Sequence, residues 1–155
     1  MIKTNKKGFT LIELLVVIAI IGLLSTLAVV ALNSARQKSR DSKRVADIKQ
    51  VQTALELYFA DSTNGYPAAA TAVNLGDANH KALCTNQFSA GGAACTGTTY
   101  MGLVPAAPTP ADCSSGNDYQ YTSTAQDQYS ITFCLGGKVG DLSAGARTAN
   151  PNGIQ

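Results

Sequence analysis

Hydrophobic and polar positions divide the chain into stretches of different period. From Leu14 to Leu32 no residue is charged, and only Gly22, Ser25 and Thr26 soften the apolar run. A helix needs about 20 such residues to cross a bilayer core. An ordinary secretory apolar region, about 7–15 residues, is shorter than this one. From Ala35 the pattern turns amphipathic. Val45, Ile48, Val51, Leu55 and Tyr58 recur at steps of three and four, one stripe of a helix, and Ala54, Phe59 and Ala60 broaden it. Arg36, Lys38, Arg40, Asp41, Lys43, Arg44, Asp47 and Lys49 are assigned to the remaining, solvated face. Asn64-Gly65 followed by Pro67 is a stop signal. The two patterns together predict one helix from Thr10 to Asp61, roughly 78 Å at 1.5 Å per residue. No proline precedes Pro67, so the helix is expected to be continuous.

Beyond the helix the periodicity fades. The segment 64–117, rich in Ala, Gly, Thr, Asn and Pro, reads as a connecting region with a short helix around Asn79–Leu83, and Tyr100–Pro105 as an approach to a sheet. Strand signals return at Tyr119–Thr122 and Tyr129–Leu135, where aromatic and polar residues alternate around a polar turn from Thr124 to Asp127. This predicts an antiparallel hairpin within 118–140, one face on the helix, with Tyr121, Tyr129, Ile131 and Phe133 in the core. The segment 141–155 reads as a loop or frayed tail. The fold class is therefore α+β, a long N-terminal helix packed on a small antiparallel head. Its divisions are 1–8, 9–34, 35–63, 64–117, 118–140 and 141–155.

Composition sharpens this picture at two points. Charged residues are only 14% of the 155, because the apolar run holds much of the aliphatic content. The net charge is +2. Setting aside Lys3, Lys6 and Lys7 leaves nine of the twelve cations against ten anions, which is not a nucleic-acid-binding balance. The four cysteines, Cys84, Cys95, Cys113 and Cys134, contain no Cys-x-x-Cys, which argues against structural zinc and low-pKa redox thiols. An even count beyond an export signal reads as two disulfides in an oxidising compartment. Three pairings are possible. Cys84–Cys95 with Cys113–Cys134 is preferred because each closes a local loop.

The most informative residue is Glu13. A carboxylate within an apolar span costs roughly 2.5–3.5 kcal/mol on insertion scales, so its presence calls for a reason. Simple snorkelling to the headgroups would leave the Gly8–Phe9 junction upstream unexplained. The run from Lys7-Gly8-Phe9-Thr10-Leu11-Ile12-Glu13 through Leu14 to Gly22 resembles the class III signal of type IV pilins and type II secretion pseudopilins. Thr63-Asn64-Gly65-Tyr66-Pro67 resembles the turn that ends the long helix in the pseudopilin branch.

The resemblance implies a type IV pilin-like fold and a structural subunit of a pilus or secretion pseudopilus. It implies cleavage between Gly8 and Phe9 by a membrane aspartyl prepilin peptidase, which also N-methylates Phe9. Glu13 would then pair with the N-terminal ammonium of a neighbouring subunit. The implied partners are other copies of the chain in a helical filament, that peptidase, an inner-membrane platform protein with its assembly ATPase, and membrane lipid before assembly. The implied location is the inner membrane, single-pass with the head outside the cytoplasm, and then an extracellular or periplasmic filament. Elementary energetics agrees, since a lone carboxylate and a lone ammonium are each costly among apolar helices and a hydrogen-bonded pair relieves both. Five cations from Arg36 to Arg44 follow the span against three before it, which by the positive-inside count favours the opposite orientation. The cysteines and the Gly8–Phe9 signal outweigh that count, and the cluster is read as a solvated face near anionic headgroups.

Many pilins carry a proline where this chain reads Ala28-Val29-Val30-Ala31. Major pseudopilins carry an acidic calcium loop after the hairpin, where this chain offers only Asp141, so no metal site is carried over. No catalytic set or cofactor motif is visible, and His80 has no second histidine. The alternative to a structural subunit is a minor pilin or membrane-anchored binding module for DNA uptake or adhesion, with exposed hairpin tyrosines stacking on bases.

Overall fold

The structure, a computed structural model, describes residues 8–155. The expected leader, apart from Gly8, lies outside the described residues, as do Lys3, Lys6 and Lys7. One helix, α1, runs unbroken from Leu11 to Asp61. The chain divides after Arg36 into two compact units.

In the first unit every residue from Leu11 to Arg36 of α1 is exposed. An 18-residue window of the helix has a mean hydropathy of 2.9, so by length and composition it is apolar enough to cross a membrane. Thr26 does not interrupt it, because its hydroxyl donates to the Leu23 carbonyl at 2.8 Å. The helix continues through Ala28–Ala31 without a break.

The second unit, Gln37 to Gln155, is the head. The α1 stripe of Ile48, Val51, Ala54, Leu55 and Tyr58 is buried, and Val45 packs against it. Phe59 and Ala60 were expected to widen that stripe but are exposed, since their helical angle carries them past its edge. Phe59 instead lies on Tyr66, ring centroids 4.6 Å apart.

Eight short strands follow: β1 (Ala69–Asn74), β2 (Ala82–Cys84), β3 (Gln87–Ser89), β4 (Thr99–Met101), β5 (Gln120–Ala125), β6 (Gln128–Leu135), β7 (Gly145–Asn150) and β8 (Gly153–Ile154). They form a five-stranded antiparallel sheet in the order β1-β5-β6-β7-β8 and a smaller sheet in the order β3-β2-β4. The expected hairpin is β5–β6, in register at Tyr121 opposite Ile131. Tyr121, Tyr129, Ile131 and Phe133 all face the core, alternate residues of each strand turning to one side. Gly65 makes the passage from helix to sheet possible. Its φ of 81° suits glycine, and a Cβ there would collide with the Gln126 backbone. That backbone's carbonyl receives the Tyr66 N–H at 2.9 Å.

Three expectations fail. The connecting region 64–117 holds β1 and the whole small sheet, whose three-residue strands are too short to show alternation. In place of a helix at Asn79–Leu83, Asp77 Oδ1 accepts the backbone N–H groups of Asn79 and His80 in a tight turn that leads into β2. The tail forms β7 and β8. In β7 only Ala149 is fully buried, so backbone pairing with β6 rather than side-chain pattern makes the strand.

Candidate assembly site and the buried ion cluster

The start of α1 is organised by Thr10 and Glu13. The Thr10 hydroxyl accepts the Glu13 N–H at 3.3 Å, while Glu13 Oε2 accepts the Thr10 N–H at 2.8 Å and the Thr10 hydroxyl at 2.6 Å. This is a reciprocal capping box, which satisfies backbone donors left orphaned by the helix start. Sequence reasoning singled out Glu13 for its charge and missed this second role, although Thr-x-x-Glu before an apolar run signals it. Gly8 and Phe9 precede the cap in exposed, non-helical backbone, and nothing lies within 4 Å of a Cβ built at Gly8.

The head is fastened to α1 by ions that the sequence did not reveal. Arg44, with no exposed surface, donates from Nη1 to Asp41 Oδ1 at 3.0 Å and to Asp112 Oδ2 at 2.6 Å, and from Nη2 to the Pro108 carbonyl at 3.3 Å. Arg40 grips the same Asp112, its Nε donating to Oδ2 at 2.8 Å and its Nη2 to Oδ1. Asp41 turns its oxygens to the backbone N–H groups of Gly136 and Gly137, at 2.9 and 2.8 Å. Two guanidiniums and two carboxylates thus balance, and bidentate geometry suits arginine. The expectation that Arg36–Arg44 is a solvated face near headgroups is wrong for Arg40, Asp41 and Arg44, because Asp112 supplies the counter-charge that lets them leave water. Asp47 is buried too, accepting the Tyr119 hydroxyl at 3.0 Å.

A disulfide joins Cys113, the neighbour of Asp112, to Cys134 near the end of β6, and a second joins Cys84 to Cys95. Their Cα separations, 6.4 and 5.6 Å, lie in the ordinary range. Asn117 Oδ1 accepts the N–H groups of Asp112 and Cys113, which fixes the loop bearing the carboxylate. Among the described residues, no group of three or more His, Cys, Asp or Glu side chains is placed to hold a metal ion.

Charge environment follows from these contacts. The Arg40 hydrogen bonds hold Asp112 down to about 2, assisted by Arg44 and opposed by partial burial. Burial raises Asp47, and the Tyr119 hydrogen bond offsets part of that rise. Burial also raises the phenols of Tyr58, Tyr66, Tyr119 and Tyr121, and takes Tyr129 to about 12. An unfolded chain would ionise these groups near pH 10. Their raised native values mean stability is intact below about pH 10 and falls as pH climbs beyond it. We expect phenolate absorbance and loss of helical circular dichroism to rise together between about pH 10 and 12. Phenolate formation with the helix signal unchanged would contradict this. The same burial withdraws Tyr119, Tyr121 and Tyr129 from base stacking, so the mechanism expected of a DNA-binding head lacks its aromatics.

Comparison with known proteins agrees with the start of the chain and then with its length. The family described as prokaryotic N-terminal methylation motif matches residues 3–29. Type II secretion system core protein G of Vibrio cholerae is 31% identical over 157 residues, covering 96% of this chain and 93% of that one. Its Klebsiella pneumoniae counterpart is 30% identical across 85% of each. The match to core protein G of Aeromonas hydrophila, 42% identical, spans 45% of that protein's length. The type IV major fimbrial protein of Dichelobacter nodosus is 38% identical over 63 residues, 41% of this chain and 40% of its own length. No solved structure matches significantly. A prepilin motif, a long apolar helix and an antiparallel head define the class of pilin-like structural subunits. Within that class the chain belongs to the type IV pilin and type II secretion pseudopilin family, as a structural subunit of a pseudopilus or type IV pilus.

Proposed function

We propose that the chain is a non-enzymatic subunit of a secretion pseudopilus, cut between Gly8 and Phe9 and N-methylated on Phe9 by a prepilin peptidase. It polymerises with Glu13 meeting the new amine of a neighbouring copy. The observation that carries this reading is Glu13 itself, an exposed carboxylate at the head of a helix whose next charge is Arg36. Only another copy's terminal ammonium offers a counter-charge at that depth, and one axial stagger alone brings the two together. Similarity along nearly the full length to secretion core protein G supports the pseudopilus over the pilus.

Before assembly the subunit sits single-pass in the inner membrane, its head outside the cytoplasm where two disulfides can form. A platform protein and an assembly ATPase extract it into a periplasmic or extracellular filament. The decisive measurement is mass spectrometry of the mature chain, expected to begin at Phe9 with one added methyl group. Bulky substitution of Gly8 should retain the full-length precursor. A mature chain beginning at Met1 would end this reading.

A further inference from the structure

The stretch 105–118 lies between β4 and β5 and holds no strand or helix. Among the described residues, its hydrogen bonds to the rest of the chain go to Arg40 and Arg44 alone, through the Asp112 carboxylate and the Pro108 carbonyl. Asn117 braces the stretch from within, at Asp112 and Cys113. Its tie to the sheet is covalent, since Cys113 is bonded to Cys134 of β6, a strand with a neighbour on each side. That one bond serves the ion cluster from both directions. It lies one residue from Asp112 and two residues from Gly136, whose N–H donates to Asp41. The two segments touch there, for a Cβ built at Gly136 would lie 2.7 Å from the Asp112 Cβ.

A carboxylate on a free, irregular loop is a poor counter-ion, because the loop must be ordered before the ion contact forms. Arg44 has no exposed surface, so it enters the head only with its counter-charge in place. A crosslink beside Asp112 removes much of that ordering in advance, by pinning the loop against the end of β6. We propose that formation of the Cys113–Cys134 disulfide closes the ion clamp, so that the head is fastened to α1 only after these two thiols are oxidised. Oxidation joins the two sulfurs and passes two electrons and two protons to an incoming disulfide, which leaves as a dithiol. With both thiols free, Asp112 is not held at the cluster, and Arg40 and Arg44 remain in water. The second disulfide, Cys84–Cys95, ties β2 to a different loop and has no part in the clamp.

Full-length processed protein in detergent is equilibrated at stepped ratios of reduced to oxidised dithiothreitol. Each disulfide is then scored by thiol alkylation and peptide mass spectrometry. A clamp that depends on the bond must protect the bond in equal measure. Asp112→Ala should therefore open Cys113–Cys134 at about a tenfold lower ratio than in the parent, while Cys84–Cys95 opens where it did before. Equal ratios for Cys113–Cys134 in the two proteins overturn the proposal. So does a shift of both disulfides together, which would report general loosening of the head. The second measurement is thermal unfolding in a Cys113→Ser/Cys134→Ser background, where Asp112→Ala should lower the melting temperature by less than half of what it does in the parent. The same loss in both backgrounds also overturns the proposal. The redox measurement needs no cysteine variant and decides the matter even where that background fails to fold.

Discussion

Replacing Asp112 with alanine is expected to destabilise the head by about 3–5 kcal/mol, the cost of breaking a buried ion pair from one side. Arg44 keeps Asp41 at 3.0 Å, which places the effect toward the lower end. Arg40 and Arg44 would nonetheless face each other with one carboxylate between them. Thermal unfolding followed by circular dichroism should show a fall of roughly 10 °C. Alanine at the exposed Asp118 should stay within about 0.5 kcal/mol of the parent. The same contact sets an acid limb. The native Asp112 carboxyl is held down to about 2, whereas an unfolded aspartate titrates near 3.9. Its stabilising contribution is complete above about pH 4 and drains away as pH falls toward 2. Asp112→Ala should flatten that limb. An unchanged melting temperature, or an acid limb as steep as the parent's, would mean the cluster is not what fastens the head to α1.

The second large effect concerns Glu13, and the capping box makes it divisible into two. Glutamine at this position preserves the reciprocal cap with Thr10, because Glu and Gln both serve at the third helical residue. It removes only the charge. Alanine removes both, and the lost cap alone costs on the order of 1 kcal/mol. If the carboxylate meets a neighbour's ammonium, Glu13→Gln and Glu13→Ala should both abolish sheared filaments while cleavage after Gly8 continues. Immunoblots of sheared and cellular fractions read this directly. Filaments from Glu13→Gln at the parent's level, with none from Glu13→Ala, would assign the residue to helix initiation instead. That outcome would dismiss the intersubunit pair.

Sequence reading succeeded where one element carried its own signal. The apolar run, the 3.6-residue stripe from Ile48 to Tyr58 and the alternation in β5 and β6 are local patterns, and each marks its element without reference to the rest of the chain. The ion cluster failed that condition. Arg40 and Arg44 look like ordinary surface cations until Asp112 arrives from 72 and 68 residues away. No local rule predicts that a helix arginine will be fully buried. The small sheet and β7–β8 were missed for a different reason. Gly145-Ala146-Arg147-Thr148-Ala149-Asn150 has almost no strand preference, and it becomes a strand because β6 offers it an unpaired edge. At the start of α1 the unusual charge of Glu13 was legible. Its bond to Thr10 was equally so, but the carboxylate's charge drew attention away from its geometry.

The order in which the chain emerges has a consequence of its own. The stripe on α1 is synthesised early, while its cover comes late. Asp47 waits for Tyr119, 72 residues downstream, and Gln52 waits for the Asn150 carbonyl, 98 residues downstream. β8 joins the sheet only by pairing with β7, which in turn pairs with β6. Long-range closure of this kind is slow, because the loop must be ordered before any contact rewards it. A nascent head therefore carries its apolar stripe bare until those contacts close. Strands β6 and β7 act as the latch, and until they close the stripe lies open to proteases and chaperones.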